Sequence, residues 1–298
     1  MRQRNTTLLF TFLVIMIVGL FILLRPYNLF DNESTHQEEE QSNQQGETDN
    51  PLESTAVFNQ VSAEDQQSTA PVAKITDNNM NLSIKEDLNI VAIGDSLTEG
   101  IGDESNGEGY VGILEQTLKT SSENVTITNY GVQGNRTDNL LERLDRNIII
   151  DSIKDADIVL ITIGANDIMK VAQDNILNLE YEPFEKEQVH FKDRMRSIMD
   201  NIASKNPDAI IYLIGFYNPF EQYFGYIKEL DLIVNSWNAT EQSIANEFDN
   251  AYFIATKDLF EDRDDLLATD NFHPNKAGYQ LMADRILNKI QPSIIVME

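Results

Sequence analysis

The chain has 298 residues, an apolar content of 41% and a formal net charge of −27, which together allow one domain with a hydrophobic core plus additional segments. It contains no cysteine, and this excludes disulfides, thiolate metal sites, a thiol nucleophile and lipid attachment through an N-terminal cysteine. The acidic charge argues against nucleic acid or an anionic membrane surface as a partner of the soluble part.

The sequence of residues 1–30 predicts a membrane anchor. Leu8–Leu24 is an uncharged run of seventeen residues, with Arg2 and Arg4 before it and Arg25 after it. This length is near the lower limit for a bilayer-spanning helix, and the N-terminal arginines favour a cytoplasmic N-terminus. A cleaved signal peptide is the alternative, although its apolar region is normally shorter and no small-residue cleavage pattern follows directly. We therefore expect an uncleaved signal anchor, with the remainder of the chain extracytoplasmic.

Residues 31–85 have the composition of an acidic, polar, disordered linker. Glu, Gln, Asn, Ser, Thr and Asp dominate, and few apolar residues recur periodically. A charged coil of this length spans about 40 Å or more. It would serve as a stalk that carries a domain away from the membrane, or as a spacer that contributes only solubility.

In residues 86–298, short β-branched runs alternate with amphipathic segments, a pattern typical of an α/β domain with a parallel sheet. The predicted strands are residues 89–94, 125–130, 157–164, 209–216 and 251–255. Apolar residues at helical spacing, such as those from Tyr110 to Leu118 and from Leu281 to Ile290, predict crossover helices. In open sheets of this kind, ligands bind beyond the carboxyl ends of the strands.

The motif Gly94-Asp95-Ser96-Leu97 follows the first predicted strand. Gly94 permits a sharp turn, after which the hydroxyl of Ser96 would be exposed and its backbone N–H would be free. These features suit a nucleophile, and a helix N-cap or a plain turn is the alternative. The motif lacks the endings of phosphate-binding and dinucleotide-binding loops, and it also lacks the second glycine of the α/β-hydrolase nucleophile elbow.

Two further motifs follow the second and third predicted strands. The segment Asn129–Thr137 contains Gly134, whose N–H could point at a developing oxyanion. The segment Gly164-Ala165-Asn166-Asp167 offers the side-chain amide of Asn166 as a second donor. The alternatives are an ordinary glycine-containing turn for Gly134 and a helix cap for Asn166.

A serine nucleophile needs a base, and elimination leaves one histidine. His36 lies in the polar linker and His190 in a charged helical segment, so the base is His273. Asp270, three residues earlier, could reach the Nδ1–H and leave Nε2 for the nucleophile, while Pro274 is predicted to begin a helix. The alternative is that Asp270 only caps this helix and His273 is exposed.

Taken in order, the Gly-Asp-Ser-Leu motif, the segment with Gly134, the Gly-x-Asn-Asp motif and the Asp-x-x-His motif resemble the SGNH hydrolases. These are also called the GDSL esterase/lipase family, and the similarity is to its lysophospholipase L1-like group. The resemblance covers roughly residues 89–290. It implies a three-layer αβα fold with a flavodoxin-like, five-stranded parallel sheet.

By this resemblance Ser96 is the nucleophile, His273 the general base and Asp270 its orienting partner. The oxyanion hole would consist of the backbone N–H groups of Ser96 and Gly134 and the side chain of Asn166. The resemblance implies no metal or cofactor.

The expected protein is a membrane-anchored, extracytoplasmic serine esterase that hydrolyses carboxylic esters through an acyl-enzyme. Its partners would be a small-molecule, lipid or acylated cell-wall glycan ester and the membrane that holds the N-terminal helix, with no nucleic acid. An O-acyltransferase acting on a polysaccharide and a catalytically silent glycan- or lipid-binding module are the alternatives.

Two other groups of residues remain ambiguous. Six aromatic residues after the fourth predicted strand could form a substrate wall or pack under a loop: Phe216, Tyr217, Phe220, Tyr223, Phe224 and Tyr226. Asp103, Glu104 and Glu108 lack the spacing of a calcium-binding loop, so we interpret them as solvated charges.

Overall fold

The computed structural model describes residues 82–85, 87–105, 108–175, 180–218 and 228–297. The predicted anchor and nearly all of the predicted linker lie outside these residues. Within the described ranges, no helix is long and apolar enough to span a bilayer.

A five-stranded, entirely parallel sheet forms the centre of the fold. Numbered in chain order with the two strands of a smaller sheet, the strands are β1 (Leu82–Ile84), β2 (Leu88–Gly94), β3 (Val125–Gly131), β4 (Ile158–Thr162), β5 (Ile210–Ile214), β6 (Ala251–Ile254) and β7 (Ile295–Met297). The order in the main sheet is β3-β2-β4-β5-β6, the flavodoxin-like arrangement. The five predicted strands and the αβα class are confirmed, with differences only at strand ends.

Helices cover both faces of this sheet. In chain order they are α1 (Ser96–Glu99), α2 (Gly109–Lys119), α3 (Thr137–Arg143), α4 (Asn147–Lys154), α5 (Ala165–Asp174), α6 (Glu182–Lys205), α7 (Lys228–Ala245) and α8 (Lys276–Ile294). Two short 3₁₀ turns, Lys257–Leu259 and Asp264–Leu266, lie between β6 and α8.

The alternation of side chains along the strands produces two separate cores. In β2, Val91 and Ile93 are buried against α3 to α7, whereas Ile90 and Ala92 are buried against α2 and α8. A parallel sheet covered on both faces needs such near-continuous apolar strands. The two helical layers fix the carboxyl edge of the sheet, where the chemical motifs lie.

A second sheet, not predicted from the sequence, joins the two ends of the domain. β1 pairs antiparallel with β7, with Leu82 opposite Met297, and the backbone N–H of Lys85 donates to the carbonyl of Ile294. β1 falls at the end of the segment interpreted as linker. Strands of three residues are too short for a recognisable periodic pattern.

Candidate active site

Ser96 is the first residue of α1, immediately beyond the carboxyl end of β2. The turn requires Gly94, because a Cβ atom there would lie 2.1 Å from the carbonyl oxygen of Thr162. The side chain of Asp95 caps α1 by accepting the N–H of Leu97 at 3.0 Å. As the first helical residue, Ser96 has an N–H with no partner inside the helix.

Ser96, His273 and Asp270 form a continuous chain of hydrogen bonds. Nε2 of His273 lies 2.9 Å from Oγ of Ser96, and Nδ1 lies 2.6 Å from Oδ2 of Asp270. The other carboxylate oxygen of Asp270 accepts the backbone N–H groups of Phe272 and His273, both at 3.0 Å. Burial opposes ionisation of Asp270, but these bonds and the charge of His273 outweigh it and hold its pKa below the ordinary value.

The loop that carries the histidine differs from the sequence-based expectation in one respect. Helix α8 begins at Lys276 with Asn275 as its cap, so the predicted start at Pro274 is wrong. A bridge to Leu267 holds Pro274 in extended backbone before the helix. His273 is buried and Asp270 does not cap the helix, whereas the other described histidine, on α6, is exposed.

A tight turn after β3 presents Gly134. The N–H of Asn135 donates to the carbonyl of Val132 at 3.1 Å, and Gly134 has φ of 77°. A positive φ at the third position is what a type II turn requires, and glycine adopts it without strain. The N–H of Val132 donates to the carbonyl of Gly94 at 3.1 Å, which ties this turn to the end of β2.

The side chain of Asn166 joins the same turn from the opposite side. Its Nδ2 donates to the carbonyl of Asn135 at 2.9 Å, and the amide nitrogen carries a second N–H for another acceptor. Asn166 lies inside α5, whose N-cap is Gly164, so it is not the cap of this helix. Ser96, Gly134 and Asn166 therefore lie on three segments that hydrogen-bond to one another at the carboxyl edge of the sheet.

Residues 92–281 match the family model of the GDSL-like lipase/acylhydrolase family. The chain belongs to this family. It is therefore a serine hydrolase that acts on ester bonds.

Individual proteins are similar to this GDSL-family chain over 67–70% of its length. YpmR of Bacillus subtilis (strain 168) is 37% identical over 212 residues, 70% of this chain and 83% of YpmR. The spore germination lipase LipC of Bacillus licheniformis is 23% identical over 67% of this chain and 94% of its own. The crystal structure of the lipase Lip_vut3 from a goat rumen metagenome has a TM-score of 0.61 at 22% identity, with 67% and 96% of the two chains covered. The last likeness supports the fold.

Two side chains that were not predicted as site residues, Arg143 and Asp167, support the site of this GDSL-family chain. Arg143 is buried behind the turn of Gly134. Asp167, one residue after Asn166, is buried and bonded to Thr137 and Arg194. Burial raises the pKa of Asp167 more than its hydrogen bonds lower it. The Asn-Asp doublet at a helix start was a usable signal for Asp167, whereas no local pattern distinguished Arg143.

A buried polar network lies beneath the nucleophile. Oδ1 of Asp95 accepts the hydroxyl of Thr162 at 3.1 Å, and the Thr162 hydroxyl is 2.6 Å from that of Thr98. The Thr98 hydroxyl is in turn 2.9 Å from that of Tyr110. Burial raises the pKa of Asp95 to about 7 despite these hydrogen bonds. A carboxyl directly next to Ser96 therefore titrates near neutral pH.

An apolar cleft has Phe272, the residue before His273, in its wall. It is lined by Ala165, Ile168, Met169, Ala172, Phe184, Phe216, Tyr217, Asn218, Leu230, Val234 and Phe272. The ring of Phe272 lies edge-on to that of His273 with centroids 5.0 Å apart, and the hydroxyl of Tyr217 donates to the carbonyl of Phe272 at 2.6 Å. Phe272 is therefore shared between the wall of the cleft and the contact with the imidazole.

The sequence left open whether the six aromatic residues form a substrate wall or pack under a loop. The two that the structure describes do both. Phe216 and Tyr217 are buried and line the cleft, and Tyr217 also stacks on Phe260 with ring centroids 4.0 Å apart. The other four aromatic residues of the cluster lie outside the described residues.

Proposed function

We propose that Ser96 attacks the ester carbonyl, with His273 as the general base and Asp270 as its orienting partner. The observation that carries this proposal is the unbroken Ser96–His273–Asp270 hydrogen-bond chain. An acceptor at Nδ1–H selects the tautomer whose Nε2 can take the serine proton, and it stabilises the imidazolium that results.

The negative charge that develops on the carbonyl oxygen is stabilised by hydrogen bonds in an oxyanion hole. The donors are the backbone N–H groups of Ser96 and Gly134 and the free amide N–H of Asn166. Such donors act on charge that appears only in the transition state, and removal of one lowers the rate on the order of 10²–10³-fold.

The reaction then proceeds through an acyl-enzyme. The tetrahedral intermediate collapses, the C–O bond to the alcohol breaks, and the imidazolium of His273 gives its proton to the leaving oxygen. Water enters, and the same imidazole removes its proton while the water oxygen attacks the acyl carbon. The bond from this carbon to Oγ of Ser96 then breaks, the imidazolium returns the proton to Oγ, and the carboxylic acid is released from the restored enzyme.

The proposed substrates are carboxylic esters of a lipid or of an acylated cell-wall glycan, with the acyl part in the apolar cleft. The cleft supports this assignment because ten of its eleven lining residues are apolar or aromatic and one of them, Phe272, also contacts the imidazole. Apolar walls favour the hydrocarbon part of a ligand and leave polar recognition to a few groups at the mouth. LipC, a relative of this chain, is a lipase by name.

The enzyme assignment is tested with nitrophenyl esters on the full-length chain. Ser96→Ala and His273→Ala should lower turnover by three or more orders of magnitude, in line with the loss of a triad member. The exposed His190 provides the matched control His190→Ala, which should retain wild-type turnover. Folded Ser96→Ala and His273→Ala variants with wild-type activity would exclude the mechanism.

A fluorophosphonate probe gives an independent readout, because it should label Ser96 in the wild type and not in Ser96→Ala. Absence of labelling in the folded wild type would favour a catalytically silent binding module. Product analysis with an acceptor glycan would show whether the acyl group goes to water or to sugar.

The proposal also includes membrane anchoring through residues 1–30, with the catalytic domain extracytoplasmic. It is supported by the uncharged run Leu8–Leu24 and the arginines that precede it. The chain should sediment with membranes, and protease added to intact cells should release the catalytic domain. Recovery of the full-length chain in the soluble cytoplasmic fraction would contradict it.

A further inference from the structure

Arg143 is a buried arginine at the end of α3 that donates to three acceptors, none of them a carboxylate. Its Nη1 donates to Oδ1 of Asn135 at 2.9 Å and to the carbonyl of Gly94 at 3.3 Å, and its Nη2 donates to the carbonyl of Tyr130 at 2.5 Å. Arg143 is 6% exposed, and among the described residues its Nε has no hydrogen-bond partner. Burying a charge without an ionic partner is costly, and these hydrogen bonds offset part of that cost.

The three acceptors belong to the segments that carry the proposed oxyanion donors. Gly94 is two residues before Ser96, and Tyr130 is in the final part of β3, which leads into the turn of Gly134. Asn135 directly follows Gly134. One guanidinium therefore links the ends of two neighbouring strands and the turn between β3 and α3.

Asn135 connects Arg143 to the third proposed oxyanion donor, Asn166. Its side-chain oxygen accepts from Arg143, while its backbone carbonyl accepts from Nδ2 of Asn166 at 2.9 Å. If the side chain of Asn135 lost its anchor, the carbonyl that orients the Asn166 amide could rotate. The planar fork of arginine fixes several acceptors at once, whereas a lysine ammonium acts as a point charge.

We infer that Arg143 is a positioning residue for the oxyanion hole: it holds the turn of Gly134 and, through Asn135, aims the amide of Asn166. The inference rests on the proposed function, since it needs Gly134 and Asn166 as the oxyanion donors. Misplaced donors weaken transition-state stabilisation and leave ground-state binding largely unchanged.

The experiment measures kcat and KM separately for Arg143→Lys and Arg143→Gln with one nitrophenyl ester. Both variants should lose on the order of 10²-fold in kcat, comparable to the loss of one oxyanion donor, with little change in KM. Arg146→Gln, an exposed arginine three positions later, is the matched control and should keep wild-type kcat. A wild-type kcat in folded Arg143→Lys would overturn the positioning role, because the charge alone would then suffice.

A double-mutant cycle separates positioning from a purely structural role. Because part of the effect of Arg143 runs through Asn166, the combined Arg143→Gln and Asn166→Ala variant should lose less kcat than the product of the two single losses, and the remaining loss reflects the turn of Gly134. Fully multiplicative effects would overturn the inference that Arg143 aims the Asn166 amide. Asn135→Ala, which removes only the side-chain link, should lower kcat in the same direction and serves if Arg143→Gln does not fold. Should Ser96→Ala retain activity, the proposed function fails; if it is inactive and the Arg143 variants are not impaired, only this inference fails.

Discussion

Asp167 accepts two hydrogen bonds from Thr137, one from its backbone N–H at 3.0 Å and one from its hydroxyl at 2.6 Å. Thr137 is the first residue of α3, and its hydroxyl also accepts from Nε of Arg194 at 2.6 Å. The residue after Asn166 therefore holds the helix that follows Gly134. Gly134 and Asn166, the proposed oxyanion donors, are therefore linked by hydrogen bonds on both sides of the turn.

Replacement of Asp167 by alanine should destabilise the fold. The variant leaves the N–H and hydroxyl of Thr137 and one N–H of Arg194 without their buried acceptor, which lowers the free energy of unfolding by about 2–3 kcal/mol. Urea denaturation measures this quantity. Asp174→Ala, an exposed aspartate on the same helix, should change it by less than about 0.5 kcal/mol. Equal stability of Asp167→Ala and the wild type would show that this network contributes nothing.

Replacement of Asp270 by asparagine should reduce turnover while the loop keeps its shape. Asparagine can still accept the backbone N–H groups of Phe272 and His273, but its neutral amide neither fixes the productive tautomer nor stabilises the imidazolium. We expect kcat to fall on the order of 10³–10⁴-fold with KM nearly unchanged. Steady-state kinetics and circular dichroism check the two parts of this expectation. A decrease of less than about tenfold in the folded variant would remove Asp270 from its proposed role.

The main sheet was predictable because each strand is a short β-branched run between polar turns, and in a doubly covered sheet that pattern has few other interpretations. The proximity of the candidate site residues was predictable for a related reason. Ser96, Gly134 and Asn166 each follow a strand, so their proximity at one edge follows from the parallel topology. His273 followed from elimination among three histidines.

The remaining features depend on contacts between distant segments. Arg143 looks like any cationic residue at a helix end, and its acceptors are backbone carbonyls that leave no mark in the sequence. The start of α8 was misplaced because Pro274 fits a first helical position in isolation, while the bridge to Leu267 is visible only in the fold. The β1–β7 sheet is built from two three-residue segments at opposite ends of the domain.

The stability of the protein should depend on the titration of Asp95. Its pKa is about 7 in the folded state and near 3.8 in the unfolded chain. The folded chain therefore binds this proton more tightly than the unfolded chain does. The stability contributed by the neutral carboxyl is complete below about pH 4 and is lost as the pH rises to about 7. Asp95→Asn does not titrate, and an amide oxygen in place of Oδ1 can still accept from Leu97 and Thr162.

We therefore expect the free energy of unfolding of Asp95→Asn, relative to the wild type, to increase between about pH 5 and about pH 8. Denaturant titrations at both pH values measure the difference, and other titrating groups cancel between the two proteins. The exposed Asp151 supplies the control Asp151→Asn, whose difference from the wild type should not vary in this way. A constant difference for Asp95→Asn would mean that Asp95 does not titrate in this range.

Replacement by alanine should prevent folding at one glycine of the site and be tolerated at another. At Gly94 a Cβ atom would lie 2.1 Å from the carbonyl oxygen of Thr162, inside the sheet where the backbone cannot move aside. Gly94→Ala should therefore give little soluble, folded protein. At Gly134 a Cβ atom would have no neighbour within 4 Å among the described residues, and the penalty is the positive φ of 77°, about 1–2 kcal/mol.

Gly134→Ala should thus fold, with a lower unfolding midpoint and a measurable share of wild-type turnover, because the backbone N–H stays in the turn. Soluble yield, thermal unfolding and ester hydrolysis distinguish the two variants. The contrast isolates two reasons for glycine at one site: close approach of another backbone at Gly94 and left-handed conformation at Gly134. Normal folding of Gly94→Ala would contradict the first reason, and failure of Gly134→Ala to fold would contradict the second.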